Sequence, residues 1–469
     1  MTTFRVSNQS QLDQALRGLK GGDTILLAGG DYGNLTMNTT RRVNFDFEKK
    51  VTIASADPNN PARINELMMT KAGNVEFSNL TFDYVAGKTS SKPFFVQDSK
   101  DVTFSRVVFD GDFKDGYATG LGLRVKQTEN ITVTDSVFRN FANGIDFSND
   151  VNVVLTNNQI RGVSYDGFTL GAIDGALISG NDFRDYKARD PNAAHMDHIQ
   201  FRIMEGEGPS ENVTIRNNVF VDPEGRQGIF FGNVPYKTGD VSAYYKNIAI
   251  ENNYISTGHV HGVTMFYGTD VDIVGNTIVR NPGAINSHTP LINVSKFSSD
   301  VLIKGNTVAS VQAPQNASWT VVDNAVSGKR YLHWDGASEV KGDGGVLAGA
   351  GARGIAPTVD GDAVAGSTVF YIGKLDFAGG DMLRLEDFDA GTFLSVTGGN
   401  PLQVWDNRGA VEIDSVLDLQ ELSDISPAVT VQTSGDTLTL RVFQDAGVAD
   451  IIIENMAAAF RASDFPDLY

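Results

Sequence analysis

The sequence predicts an all-β solenoid: a right-handed, single-stranded parallel β-helix with an N-terminal capping helix, followed by a small C-terminal β domain. Three observations predict it. A strand–turn–strand pattern recurs, as in NITVTDSVF (130–138), NVVLTNNQI (152–160), NVTIRNNVF (212–220), NIAIENNYI (247–255) and DVLIKGNTV (300–308). One asparagine register repeats through Asn158, Asn181, Asn218, Asn253, Asn276 and Asn306, at intervals of 23, 37, 35, 23 and 30 residues. The shortest interval suits one β-helix coil and is too short for a strand–helix–strand unit, which needs about 30 residues or more. Each coil buries its core against the next.

The elements follow in order. SQLDQALRGL near the N-terminus places Leu12, Ala15, Leu16 and Leu19 on one helical face, a cap for the open end of the core. The repeated asparagines stand at a turn, where each can bond the next copy as an internal ladder. A second strand recurs after each turn: GLRV (122–125), GIDF (144–147), GFTL (167–170), HIQF (198–201), GIFF (228–231), GVTM (262–265) and LINV (291–294). Its second and fourth positions are apolar and face the core, because side chains alternate along a strand. Its first position is glycine except at His198 and Leu291, and this reads as a shallow outer face. The β-helix spans 1–312 in this reading. A glycine-rich transition follows over 313–359, including GDGGVLAGAGARG, and an acidic β domain occupies 360–469.

Composition narrows the function. The 469 residues are 41% apolar with a net charge of −19, which argues against a nucleic-acid partner. Residues 375–469 hold 17 acidic and four basic side chains, so the preceding chain is only mildly acidic, at −6. Cysteine is absent, which removes thiol nucleophiles, thiolate metal sites and disulfides. No apolar run approaches 18 residues, so no membrane span is expected, and MTTFRVSNQSQ lacks the features of a signal peptide.

The chemistry concentrates around HMDHIQFR (195–202). Five of six histidines, His195, His198, His259, His261 and His288, fall on four adjacent coils; the sixth is His333. His198, Gln200 and Arg202 alternate with apolar Ile199 and Phe201, so they read as one outward face. Two over-long repeats flank it and supply cleft walls: Lys187 and Arg189 from one, Tyr236, Lys237, Tyr244, Tyr245 and Lys246 from the other. Tyrosine stacks on sugar rings, and lysine or arginine pairs with uronate carboxylates.

Three activities fit. In β-elimination of a uronate polymer, His198 is the expected base, Arg202 stabilises the enolate, and His195 or Tyr245 is the acid, with Asp197 beside them. Gln200, Arg226, His259, His261 and Tyr267 would bind substrate. In hydrolysis, Asp146, Asp166 and Asp197 on three consecutive coils supply a carboxylate pair. The third is glycan binding without cleavage. A Ca²⁺ ion at Asp166 and Asp197 is a further expectation. No GxSxG elbow supports a triad with Ser164.

SQLDQALRGLKGGDTILLAGGDY and the coil repeat resemble the pectate-lyase-like superfamily, including alginate and exopolysaccharide lyases, over residues 3–310. That resemblance implies a secreted enzyme acting on an acidic polysaccharide. The family's Lys/Arg motif and DPH triplet are not present, so no catalytic residue is carried over. The acidic tail, with LDFAGGDMLRLEDF, resembles the C-terminal export regions of type I-secreted proteins, which implies an extracellular location and a type I secretion apparatus as partner. A carbohydrate-binding module is the rival reading of the tail.

Overall fold

A computed structural model describes residues 1–326 except 89, 189–194, 204–206, 233–242, 282, 286 and 313–317; beyond 326 it describes the backbone of strands between 368 and 453. The chain divides into Met1–Arg330 and Tyr331–Tyr469.

The first unit is a parallel β-helix of three ladders. The first ladder runs from Thr3–Val6 to Trp319–Val322. The second runs from Thr81–Asp83 to Ala325–Val326, and the third from Gly30–Asn38 to Val311–Gln312. The long strand Ala62–Thr70 joins the last two by pairing with both Thr81–Asp83 and Phe94–Gln97. The solenoid therefore continues past the expected limit at 312: Trp319–Val322 pairs with Ser299–Lys304, and the Trp319 indole donates to the Ser298 carbonyl at 2.8 Å.

Alternation along each strand fills the interior with columns of apolar side chains, in which like residues often stack. Phe82, Phe109 and Phe138 stack at 4.8 and 4.5 Å on successive coils of the second ladder. Phe201 and Phe231 stack at 4.4 Å in the third. The predicted cap is helix Gln9–Gly18, whose Leu12, Ala15 and Leu16 close the core. The Asn8 side chain accepts from the Gln11 N–H at 3.0 Å and starts it.

The internal asparagine ladder forms between the first and second ladders. Each amide from Asn158 to Asn306 donates to the next Oδ1 at 2.9–3.0 Å, and the chain of bonds ends on Asn324, one coil further than expected. Each Oδ1 also takes a backbone N–H of the coil below, so the buried polar groups are satisfied. The residue before each ladder asparagine has positive φ: Asn157 54°, Asn217 55°, Asn252 51° and Asp323 55°, with glycine at 180, 275 and 305. That left-handed turn is what the recurring Asn, Asp and Gly dipeptides encode.

Glycine at the start of each third-ladder strand has a different reason from the one expected. A Cβ on Gly228 would meet Ile255 at 2.9 Å and the Gly262 carbonyl at 2.1 Å. The position points inward at a corner of the coil rather than onto the outer face.

In the second unit, Val429–Ser434, Thr437–Gln444 and Gly447–Ile453 form an antiparallel meander, with Met382–Leu385 parallel to Gly447–Ile453. Among the described residues no helix is long and apolar enough to cross a membrane.

Candidate active site

His198 follows from the glycine column. It occupies the inward corner position, is fully buried, and packs against Tyr186, Phe220 and Phe183 with ring centroids 4.9, 5.3 and 6.0 Å away. Neither ring nitrogen has a hydrogen-bond partner. Burial, and then the nearby Arg226 guanidinium, hold its pKa far below the usual histidine value. It is a neutral core residue, which corrects its assignment as an outward-facing base.

Two other expected site residues are also structural. Arg226 is fully buried: Nε donates to the Tyr165 carbonyl at 2.9 Å, Nη2 to Val163 at 3.3 Å, and the guanidinium lies 4.0 Å over the Tyr186 ring. Asp222 and Glu224 balance its charge at 3.6 and 3.8 Å. It ties loops together and has no surface to offer a substrate. Tyr245 is buried against Phe231, donates its hydroxyl to the Gly232 carbonyl, and is raised in pKa by burial, so it is not an accessible acid. Ser164 donates to the Ala118 carbonyl from a buried position.

Walls expected from the long repeats divide. Lys187 is exposed. Tyr244 is buried beside half-buried Tyr267, 5.7 Å between rings. Lys246 is exposed but belongs to the first-ladder strand Tyr245–Glu251, around a corner from the third-ladder face. Arg189, Tyr236, Lys237 and His333 lie outside the described residues.

The outward columns of the third ladder do assemble a site. One column, before the strand's glycine, holds Asn143, Asp166, Asp197, Gln227 and His261 on successive coils. Asp166 accepts from the Asp197 N–H at 3.0 Å and from Asn143 and Thr169 at 3.3 Å each. Asp197 accepts from the Gln200 amide at 3.1 Å. Both carboxyls are almost fully buried. Burial pushes Asp166 up to about 6, against the pull of the Asp197 N–H and Arg226. Burial, and then the neighbouring Asp166 carboxyl, raise Asp197 well above the usual carboxylate range.

Above this pair stand the accessible groups. His195 is exposed, half-buried His261 lies two coils on, and both pack against Phe230, at 5.9 and 5.4 Å. His195 Nδ1 lies 3.3 Å from the Gln227 amide. His261 Nδ1 bonds the Thr264 hydroxyl at 2.8 Å, and His259 accepts the His261 N–H at 3.1 Å while stacking on its ring at 5.1 Å. His288 meets His259 edge-on at 6.0 Å. Burial, then the other imidazoles, lower His259 to about 4; burial, then His195, lower His261. Further down the face, Arg202 reaches Asp146 at 2.9 Å and Arg124 approaches it at 3.9 Å. Phe230, Gln227, Thr264 and Arg124 were not among the expected site residues; their membership of the outward columns is the signal that contained them.

Among the described residues no three His, Cys, Asp or Glu side chains converge to hold a metal ion. Ca²⁺ takes six to eight oxygens, whereas Asp166 is engaged by three donors and Asp197 is fully buried with one oxygen held by the Gln200 amide. The expected Ca²⁺ site at Asp166 and Asp197 therefore does not fit these residues.

No curated protein matches the sequence. Solved structures similar to the chain include the surface adhesin PfbA of Streptococcus pneumoniae, at 14% identity over 67% of this chain and 86% of the adhesin, with a TM-score of 0.38. An alginate lyase from Paenibacillus sp. str. FPU-7 is similar at 15% identity over 69% of this chain and 99% of the lyase, TM-score 0.35. The DFA-IIIase of Arthrobacter chlorophenolicus A6 without its lid is similar at 11% identity over 68% and 93%, TM-score 0.38. The family model described as "Right handed beta helix region" matches residues 65–308, more than half the chain, and spans the repeats, ladders and histidine face described above. The chain belongs to the right-handed β-helix family.

Proposed function

We propose that the chain is an extracellular enzyme that cleaves an acidic, uronate-containing polysaccharide by β-elimination on the outer face of the third ladder. One observation carries this reading: the groups open to a substrate are chiefly imidazoles and guanidiniums, with Asp146 held between Arg202 and Arg124, while the Asp166–Asp197 pair is buried. His195 and His261 share the Phe230 ring. With Nδ1 held by Thr264, His261 has Nε2 for a substrate proton, and its lowered pKa keeps it neutral and able to accept one at pH 7. In this scheme His261 takes the proton α to the uronate carboxylate. The electron pair forms the C4–C5 double bond as the C4–O bond breaks, and His195 protonates the departing oxygen. Arg202 and Arg124 supply positive charge for neighbouring uronates.

Hydrolysis is the second reading, favoured by two carboxyls on adjacent coils, Asp166 and Asp197, whose burial raises both above the usual carboxylate range. Incubation with polygalacturonate and alginate distinguishes the two. Elimination predicts ultraviolet absorbance from unsaturated ends, with His261→Ala and His195→Ala each slowing turnover by about 10²-fold or more. The acid limb of kcat/KM should fall below the ordinary histidine pKa of about 6.5, because the base form of His261 persists to lower pH. Reducing ends without that absorbance, abolished by Asp197→Asn, would instead establish hydrolysis. Binding without any cleavage would leave a glycan-binding protein.

A further inference from the structure

A second concave site lies at the N-terminal end of the same face. Helix Gln9–Gly18 packs beside the first third-ladder strand, Gly30–Asn38, with the Gln9 amide donating to the Asn34 carbonyl at 2.9 Å and accepting from the Gly33 N–H at 2.7 Å. On the other side, the turn at Thr40 closes through its N–H to the Val43 carbonyl at 2.8 Å. Between them is an open cavity of about 640 Å³, within the size range of small-molecule sites. Its wall combines the amides of Asn34 and Asn38, the hydroxyls of Thr36 and Thr40, the charged side chains of Asp13 and Arg17, and apolar surface from Leu16 and Val43.

The chemistry of this wall selects its ligand. Asn38 Oδ1 is buried and accepts no hydrogen bond, so it asks for a donor. An anion with acceptors alone would pair with Arg17 but leave Asn38 Oδ1 without a donor. A sugar hydroxyl donates and accepts, and a pyranose also has C–H faces to lay on Leu16 and Val43.

Register ties the cavity to the histidine face. Thr36, Met68, Phe95, Arg124, Asp146, Thr169, Gln200 and Phe230 form one outward column on successive coils. Seven steps of about 4.8 Å place Thr36 about 34 Å from Phe230. Met68 is 42% exposed and Phe95 half-buried, giving the column apolar steps on leaving the cavity.

We propose that this cavity is a remote subsite that takes one pyranose of a polysaccharide chain lying along the third ladder. It shares with the proposed function the assignment of a glycan ligand but does not depend on cleavage. A chain that occupies both the cavity and the histidine face must be long; a short oligosaccharide cannot span them.

The full chain and its Thr36→Trp and Asn38→Ala variants are compared by retention on immobilised polygalacturonate and alginate, and by turnover on the polymers and on their tetrasaccharides. Thr36→Trp fills the cavity from an exposed strand position, so it is the variant that leaves folding intact, checked by its melting temperature. Both variants should lose about tenfold or more in polymer affinity, one tenfold step being a single interaction's worth, with tetrasaccharide turnover unchanged. Retention of Thr36→Trp equal to that of the parent, or no retention of the parent on either polymer, overturns the subsite. Retention that depends on Thr36, with no cleavage of any substrate, supports the subsite and overturns the elimination reading alone.

Discussion

At the residue scale, burial decides which ionisable groups can act. His198 has two ring nitrogens without partners, so its polarity adds nothing to stability while its volume fills the corner. His198→Leu should hold or raise stability at pH 7 and leave turnover unchanged, whereas His198→Ala should cost about 2–4 kcal/mol by opening a cavity. Urea melts and the cleavage assay check both. The folded pKa of His198 lies below its unfolded value, so its neutral form is matched to the fold above about pH 6.5 and stability falls as pH drops below that; His198→Leu should flatten this slope. Asp150 behaves in the opposite sense. Burial pushes it from 3.8 to about 8, against the pull of the Thr128 and Ser148 N–H groups. The unfolded chain ionises first, so stability is lost as pH rises through 3.8 towards 8, by about 6 kcal/mol in total. Its Oδ1 accepts from Thr128 at 2.7 Å and Oδ2 has no partner. Asp150→Asn keeps the useful bond and cannot ionise; thermal melts should show it more stable than the parent at pH 8, with the difference gone near pH 4.

At the scale of elements, the coil corners separate two uses of asparagine. Asn218 donates to the Ile178 carbonyl at 2.9 Å and to Asn253 at 3.0 Å, and its Oδ1 serves two donors on Asn181. Replacing it with alanine strands several buried groups at once, at about 2–4 kcal/mol. Asn157, one residue before ladder residue Asn158, has φ 54°, and its side chain makes only an exposed bond to Asp135 at 3.3 Å. Glycine already occupies that column at 180, 275 and 305, so Asn157→Gly should change stability by only about 0.5 kcal/mol. Chemical denaturation of the two variants tests the division. If both lose equally, the internal ladder does not carry the stability assigned to it.

For the whole molecule, the solenoid buries its own core coil by coil. The last paired strands, Trp319–Val322 and Ala325–Val326, lie inside the unit that ends at Arg330. A chain ending at residue 330 should therefore keep the circular dichroism, melting behaviour and oligosaccharide turnover of the full protein. The export role proposed for residues 360–469 predicts that this truncated form accumulates inside producing cells. Normal secretion would sink that role, and lost polymer affinity with secretion intact would make the tail a binding module.

Periodicity made the architecture legible. The spacing of the asparagines and the alternation of the strands are local consequences of coil length and pleat, and a parallel stack then places equal positions in register. The helical cap, the asparagine ladder and the gathering of His195, His259, His261 and His288 follow from that arithmetic. Alternation misled at one point. HIQF alternates cleanly, but the coil bends at its first residue, so His198 takes a glycine's inward place and Asp197 the outward one. Depth was equally invisible. Nothing in the residue types of Arg226, Tyr245 or Asp197 says that their surroundings close over them, because that depends on loops and coils tens of residues away, such as the Tyr165 and Val163 carbonyls that receive Arg226. Column membership is set by the repeat; burial, and with it charge state and access, is set by how separate coils and their long insertions pack.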